Sequence, residues 1–256
     1  MTVVFGYLKG ITQICAMYRI SLIGCLVFLS YFANAQVGGK WKSFQIFKGD
    51  TINRLDNSDK KQGVWRKYYK TDTLCGETNF VNNVPVGLAR TWYESGALKA
   101  QVVNSKDGKT GKGVSYYESG KLMAKGNYRL QKKDSVWLYF NESEKLKAME
   151  GYKSGVPEGK WMVFYENDSV AEMKVYSNGK REGSYIQMSE NGMRILEMTY
   201  RNDQPEGVVN VFYPDGKLQE TGHYRKGIKE GSWLQYDANG TISNISVYNN
   251  GVLKEK

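Results

Sequence analysis

Residues 111–128 read GKGVSYYESGKLMAKGNY, and residues 206–227 read EGVVNVFYPDGKLQETGHYRKG. Laid one over the other, Gly111 meets Gly207, Tyr116 meets Phe212, Gly120 meets Gly216, Leu122 meets Leu218 and Tyr128 meets Tyr224. The displacement between them is a multiple of 24, and the same period runs outward in both directions. Its anchors are Gly39, Gly63, Gly87, Gly111, Gly159, Gly183, Gly207 and Gly231, with Ser135 in the one remaining slot. A fixed period held over most of a chain marks a repeat architecture, so it is read before any other feature.

Two residues after the anchors stand Trp41, Trp65, Ala89, Gly113, Trp137, Trp161, Tyr185, Val209 and Trp233. Five after them comes an aromatic residue in every unit but one, where Met188 takes its place. Nine after them come Gly96, Gly120, Gly192, Gly216 and Gly240, with Asp72 and Asp168 elsewhere, a slot that selects residues tolerant of positive φ. The second half of a unit opens on an aliphatic residue such as Leu98, Leu122 or Leu146. It closes six residues later on an aromatic such as Tyr128, Tyr152 or Tyr176. A second turn follows, written Ser154-Gly155, Asn178-Gly179, Asn202-Asp203 or Asn250-Gly251. Each unit is therefore strand, turn, strand, turn. The predicted fold is all-β: an elongated single array of antiparallel β-hairpin repeats, nine units of 24 residues over 39–256.

One hairpin is marginal in water, so the units must pair edge to edge. Equivalent residues then lie two strands apart, about 10 Å, and the array is on the order of 80–90 Å long. A closed propeller needs blades of roughly 40–50 residues, and pairing nine units leaves one over. The aromatics two and five residues after the anchor have opposite parity along a strand. Either both faces of the sheet are covered, or a bulge re-aims one of the two. The unit at Ser135 departs most from the pattern but retains Trp137, Phe140, Leu146 and Tyr152, so its strands are expected to survive. The unit at Gly39 keeps one clear strand, turns polar after Asp50, and reads as a ragged terminal cap.

Ahead of the array, an apolar run from Ile20 to Phe32 is preceded by Arg19 and followed by Ala33-Asn34-Ala35-Gln36. That is the layout of a secretory signal peptide over residues 1–35, cleaved after Ala35. Met17-Tyr18-Arg19 reads as the conventional start, and residues 1–16 as a mis-assigned extension. Leu22-Ile23-Gly24-Cys25 offers an alternative, a lipobox with a lipid anchor on Cys25. Export places the protein in the periplasm, the outer envelope or outside the cell. Cleavage would remove Lys9 and Arg19 and no acid, lowering the net charge of +10 by two to +8. It would also leave Cys75 without a cysteine partner, as a small buried hydrophobe in a strand.

The two stretches quoted first resemble the MORN repeat family, in its bacterial variant form with a G-x-W-x-x-Y/F-Y-x-x-G-x-L-x-x-x-x-x-Y-x-x-G pattern. The resemblance covers residues 39–256 and recurs in register. It implies a row of antiparallel hairpins, proteins or lipid headgroups as partners, and no catalytic residue. Some such proteins carry the label of a YwqK-type toxin–antitoxin antitoxin, which fits poorly with a leader for export.

Chemistry beyond the repeat is sparse. His223 is the only histidine, which excludes a multi-histidine metal site, and its repeat context makes it a strand residue rather than a general base. No catalytic, cofactor or metal residue is expected. The candidate binding strip is the row Glu158, Glu182, Glu206 and Glu230, each just before an anchor, with Lys160, Lys226 and Lys229 around the same turns. The plainer reading of these carboxylates is that they keep turns and edges soluble. The expected function is a secreted or envelope-associated, non-enzymatic scaffold that binds a protein or an anionic or glycan polymer along its length. A lipid headgroup is a further candidate partner. Nucleic acid is disfavoured, because the basic residues are scattered rather than condensed into a patch. The competing readings are an antitoxin-like inhibitory binding protein and a hydrolase with an unrecognised site.

Overall fold

The computed structural model describes residues 40–255. These form a single open sheet of 21 antiparallel strands, from Ser43–Phe47 to Val252–Glu255, with no helix among the described residues. The short strands Val156–Pro157 and Gln204–Pro205 share their partner with the strand that follows each, and every other pairing is between neighbours in the chain, so the sheet is a continuous meander in which every unit is one hairpin. The signal peptide, the start at Met17, the Cys25 lipid site and the Gly39 anchor all lie outside the described residues.

Turn chemistry decides the alternation. Within a unit the chain reverses through a tight turn closed by a residue with positive φ. In the Gly111 unit the Gly120 amide donates to Tyr117 O and the Tyr117 amide to Lys121 O, both at 2.9 Å. Asp72, Glu144 and Asp168 adopt the same conformation where glycine is missing. Between units most turns have two central residues, both at positive φ, as in Asn178 (48°) with Gly179 (86°) and Asn202 (50°) with Asp203 (69°). This is the hairpin turn whose twist matches that of the strands it joins.

The anchor marks a bulge. Lys174 pairs with Tyr185 and Tyr176 with Arg181, so Glu182, Gly183 and Ser184 together face Val175. Gly183 takes a φ of 102° there, and Ser135 adopts a φ of 60° in the slot where glycine is missing. A smaller irregularity sits near the turn within each unit, as between Gln187 and Met188.

Both faces of the sheet are covered, which answers the parity question. On one face Trp137, opposite Glu150, meets Tyr128 at 4.9 Å and Tyr139 at 6.5 Å. On the other, Phe140 lies under the Lys125 ammonium at 5.5 Å. Burial concentrates on the first face, where Trp137 and Val209 are 3% exposed and Trp233 and Ala124 are 4% exposed. With no second layer among the described residues, that burial comes from an aromatic row. Trp161 lies between Tyr152 at 5.3 Å and Tyr176 at 4.7 Å, and Trp233 between Tyr224 at 5.1 Å and Tyr248 at 6.2 Å. A Cβ on Gly126 would overlap the Trp137 indole, and one on Gly222 the Trp233 indole.

Two expectations are corrected. The first unit is a complete hairpin of Ser43–Phe47 and Asp50–Leu55, not a ragged cap. Its polar residues are built into the sheet. Asp50 pairs with Arg66 at 3.0 Å, the Asn53 side chain accepts the Arg66 amide at 2.7 Å, and Ile52 is buried. Cys75 lies in a strand as expected but is half-buried rather than buried, and it is disulfide-bonded. The opposite expectation counted only the cysteine that remains after removal of the leader, whereas the full chain holds 3.

Candidate binding edges

A meander has two long edges, one made by the turns within units and the other by the turns between them. The four glutamates of the candidate strip lie on the second. Each is half-buried and accepts a backbone amide from the turn that closes the unit following it. Glu158 accepts Asn178 N, Glu182 accepts Asn202 N and Glu230 accepts Asn250 N, each at 2.8 Å, and Glu206 accepts Lys226 N at 2.7 Å. Asp134 does the same for Ser154 N at 3.0 Å. The next amide of the turn bonds a backbone carbonyl, as Gly179 N does to Pro157 O at 2.9 Å and Gly227 N to Pro205 O at 2.8 Å. The row is therefore a set of clamps that staple one turn to the strand before it. The Asn250 amide, with Arg225 alongside, holds the Glu230 carboxyl below its usual range.

The three lysines of the strip divide. Lys160, which follows the anchor Gly159, and the Lys226 side chain, in the turn clamped by Glu206, are exposed at this edge. Lys229 instead lies over the Trp233 ring at 3.6 Å and is 3.8 Å from Glu220, so it belongs to the aromatic row. Lys61, Lys133 and Arg181 occupy equivalent places over Trp65 (4.6 Å), Trp137 (4.8 Å) and Tyr200 (4.0 Å). Burial pushes the Lys133 ammonium down in pKa, with Glu150 opposing it.

Sequence reading missed two rows. Five exposed glutamates, Glu94, Glu118, Glu142, Glu166 and Glu190, recur seven residues after the anchors along the opposite edge. The ribbon thus carries acidic turns along one edge and most of its free lysines along the other. The second row is a ladder of tyrosine hydroxyls six residues after the anchors. Tyr69 donates to Trp92 O at 2.7 Å, Tyr93 to Tyr116 O at 2.9 Å, Tyr117 to Phe140 O at 2.8 Å, Tyr165 to Met188 O at 2.8 Å and Tyr213 to Tyr236 O at 2.7 Å. Reading those offsets, as two, five and nine were read, would have exposed both.

Two open clefts lie beside the anchors. One of about 520 Å³ is lined by residues including Val103, Asn104, Lys112, Asn127, Arg129 and Asp134. The other, about 370 Å³, is lined by residues including Glu182, Tyr200, Arg201, Glu206 and His223. The polar cluster of Lys133, Tyr139, Glu150 and Tyr152 lines neither cleft. Tyr152 donates to Glu150 at 2.7 Å, and burial, helped by Glu150, drives the Tyr139 hydroxyl far above its usual pKa. No group of three or more metal-ligating side chains occurs among the described residues.

No curated protein matches the chain. Among solved structures, a mutant of TarM from S. aureus aligns at 18% identity over 38% of this chain and 19% of its own, with a TM-score of 0.28. A porin-like protein from Bacteroides uniformis aligns at 8% identity over 70% of this chain and 91% of its own, with a TM-score of 0.19. The TcdB2-TccC3 structure aligns at 10% identity over 82% of this chain and 16% of its own, with a TM-score of 0.21. The family described as MORN repeat variant matches residues 61–82, 109–129, 205–226 and 229–250, each close to one period of the array. With the same hairpin built in every unit, the chain is a MORN-variant repeat protein.

Proposed function

We propose that the protein is an exported, non-enzymatic scaffold that holds an extended anionic partner along the basic edge of its ribbon. The observation that carries this reading is the difference in engagement between acids and bases at that edge. The carboxylates of Glu158, Glu182, Glu206 and Glu230 are taken up by turn amides. Lys153, Lys160, Lys180 and Lys226 stand exposed, and none of their ammonium groups forms an ion pair among the described residues. These lysines stand at different offsets from their anchors but around the same inter-unit edge, so together they give that edge a positive field that draws an extended polyanion. The leader-like residues 1–35 support export, and both clefts are open rather than closed around converging acids and bases.

Successive replacement of Lys153, Lys160, Lys180 and Lys226 by Glu, followed by titration with polygalacturonate at low and physiological salt, tests the reading. Affinity is expected to fall stepwise with each substitution and with salt. Binding that ignores both would remove the reading. Recovery of the natural protein from the cytoplasm with its leader intact would remove the export part alone.

A further inference from the structure

The unit that begins at Gly111 keeps its 24 residues but distributes them differently from its neighbours. On either side of it a two-residue turn is followed by a bulge at the anchor, as at Asn82-Asn83 before Gly87 and at Leu130-Gln131 before Ser135. Here the strands Leu98–Asn104 and Thr110–Tyr116 pair without a register shift from Asn104↔Gly111 to Ala100↔Ser115, and Gly111 has no positive φ. The residues that form the bulge elsewhere have moved into the turn. Asp107-Gly108 is a pair that suits two positive φ values, yet only Gly108 adopts one (64°), and Ser105–Gly108 folds as a longer loop. Gly108 N donates to Ser105 O at 3.0 Å, Ser105 N to Thr110 O at 2.9 Å, and the Ser105 hydroxyl to Asp107 at 2.6 Å.

The next anchor, at Ser135, keeps its bulge. A straight strand on one side and a bulged one on the other leave the larger of the two clefts, about 520 Å³. Its one carboxylate, Asp134, is occupied: Oδ1 accepts Ser154 N at 3.0 Å, and Oδ2 accepts the Ser135 hydroxyl at 3.3 Å and lies 3.5 Å from Arg129 Nε. Arg129 keeps 60% of its side chain exposed, and Lys112 is exposed with no ion pair among the described residues. The exposed Asn127 amide stands beside them, and Val103, 56% exposed, forms an apolar wall. The cleft of about 370 Å³ has related geometry and the opposite balance, with Glu182 and Glu206 against Arg201.

We propose that the larger cleft is a seat for the carboxylate-bearing sugars of an acidic polysaccharide, which rests on the polyanion reading above and gives that partner its chemical class. The Arg129 fork and the Lys112 ammonium take the carboxylate, the first by paired hydrogen bonds and the second as a point charge. Asn127 bonds ring hydroxyls, and Val103 covers a C–H face of the ring. The volume lies within the range of about 300–1,000 Å³ usual for small-ligand sites. Because the cleft opens at the inter-unit edge, a longer chain can continue from it along the lysines of the following units.

Calorimetric titration of the full chain with trigalacturonate, and with a neutral galactose trimer, tests this. The acidic trimer is expected to bind at least about tenfold more tightly than the neutral one. Lys112→Glu should cost about tenfold or more, Lys112→Arg should retain binding, and Arg201→Glu in the other cleft should leave it unchanged. All three variants are judged only if their circular dichroism matches that of the parent. Equal losses from Lys112→Glu and Arg201→Glu, or equal binding of the two trimers, would overturn the seat. Stepwise binding of polygalacturonate without binding of the trimer would remove the seat and leave the scaffold reading standing. Failure of both ligands would remove the two together.

Discussion

The hydroxyl of Tyr165 donates to the carbonyl oxygen of Met188 at 2.8 Å, joining two successive units through a side chain. Four other tyrosines repeat the bond at the same sequence separation, so the array is tied along its length independently of its strand ladder. Tyr165→Phe keeps the ring and removes the donor. The expected loss is about 1 kcal/mol in urea unfolding, the usual net value for one such bond. Tyr117→Phe, several strands away, should add to it rather than interact with it. A double variant as stable as the parent would show that the ladder does not bear on stability.

The aromatic row grades the tryptophans. Trp137 is 3% exposed, whereas Trp161 is only half-buried. Trp137→Ala should therefore cost about 3–5 kcal/mol and Trp161→Ala distinctly less. Gly126→Ala places a methyl group into the Trp137 indole and should cost about 1–3 kcal/mol by overpacking. Thermal midpoints that rank Trp161→Ala as the more damaging change would contradict this placement of the core.

Ser135 holds a φ of 60°, where an L residue is strained and glycine is not. Ser135→Gly should stabilise the protein by about 0.5–1 kcal/mol, restoring the residue that the other anchors carry. Its hydroxyl contact with Asp134 at 3.3 Å is long, so little is lost with it. A lower unfolding midpoint for this variant would mean that the hydroxyl outweighs the strain.

Acid sensitivity follows from the clamps. The folded pKa of Glu230 is lowered by the Asn250 amide and then by Arg225, and that of Asp134 by the Ser154 amide and then by Arg129. A carboxylate with a depressed folded pKa stabilises the fold above its unfolded pKa, about 4. That contribution is lost as pH falls through the folded value. Urea midpoints should therefore be flat near neutrality and fall from about pH 5 downward. Glu230→Gln should lower the midpoint at pH 7 and flatten the acid limb. A variant with the parental pH profile would show that the clamp is mechanically idle.

Much of the fold was legible because hairpin repeats are written in local chemistry. Asn178-Gly179 demands a two-residue turn, Gly120 a tight turn with positive φ, and the spacing of Leu122 and Tyr128 a strand with one covered face. The site was less legible. Glu182 on paper is a charge beside a glycine, and only pairing across the sheet brings the amide of Asn202 to it. Lys229 reads as a surface cation until the strand register lays it on Trp233.

The division is physical. Turn type, strand period and unit count depend on residues a few positions apart, and the 24-residue pattern by itself determined them. Which carboxylate is spent on a turn, which lysine lies under solvent and which on an indole, and where a displaced bulge opens a cleft at Lys112 and Arg129 depend on groups about 20 residues apart. Those groups meet only when the sheet is paired, so the tertiary structure alone decided them.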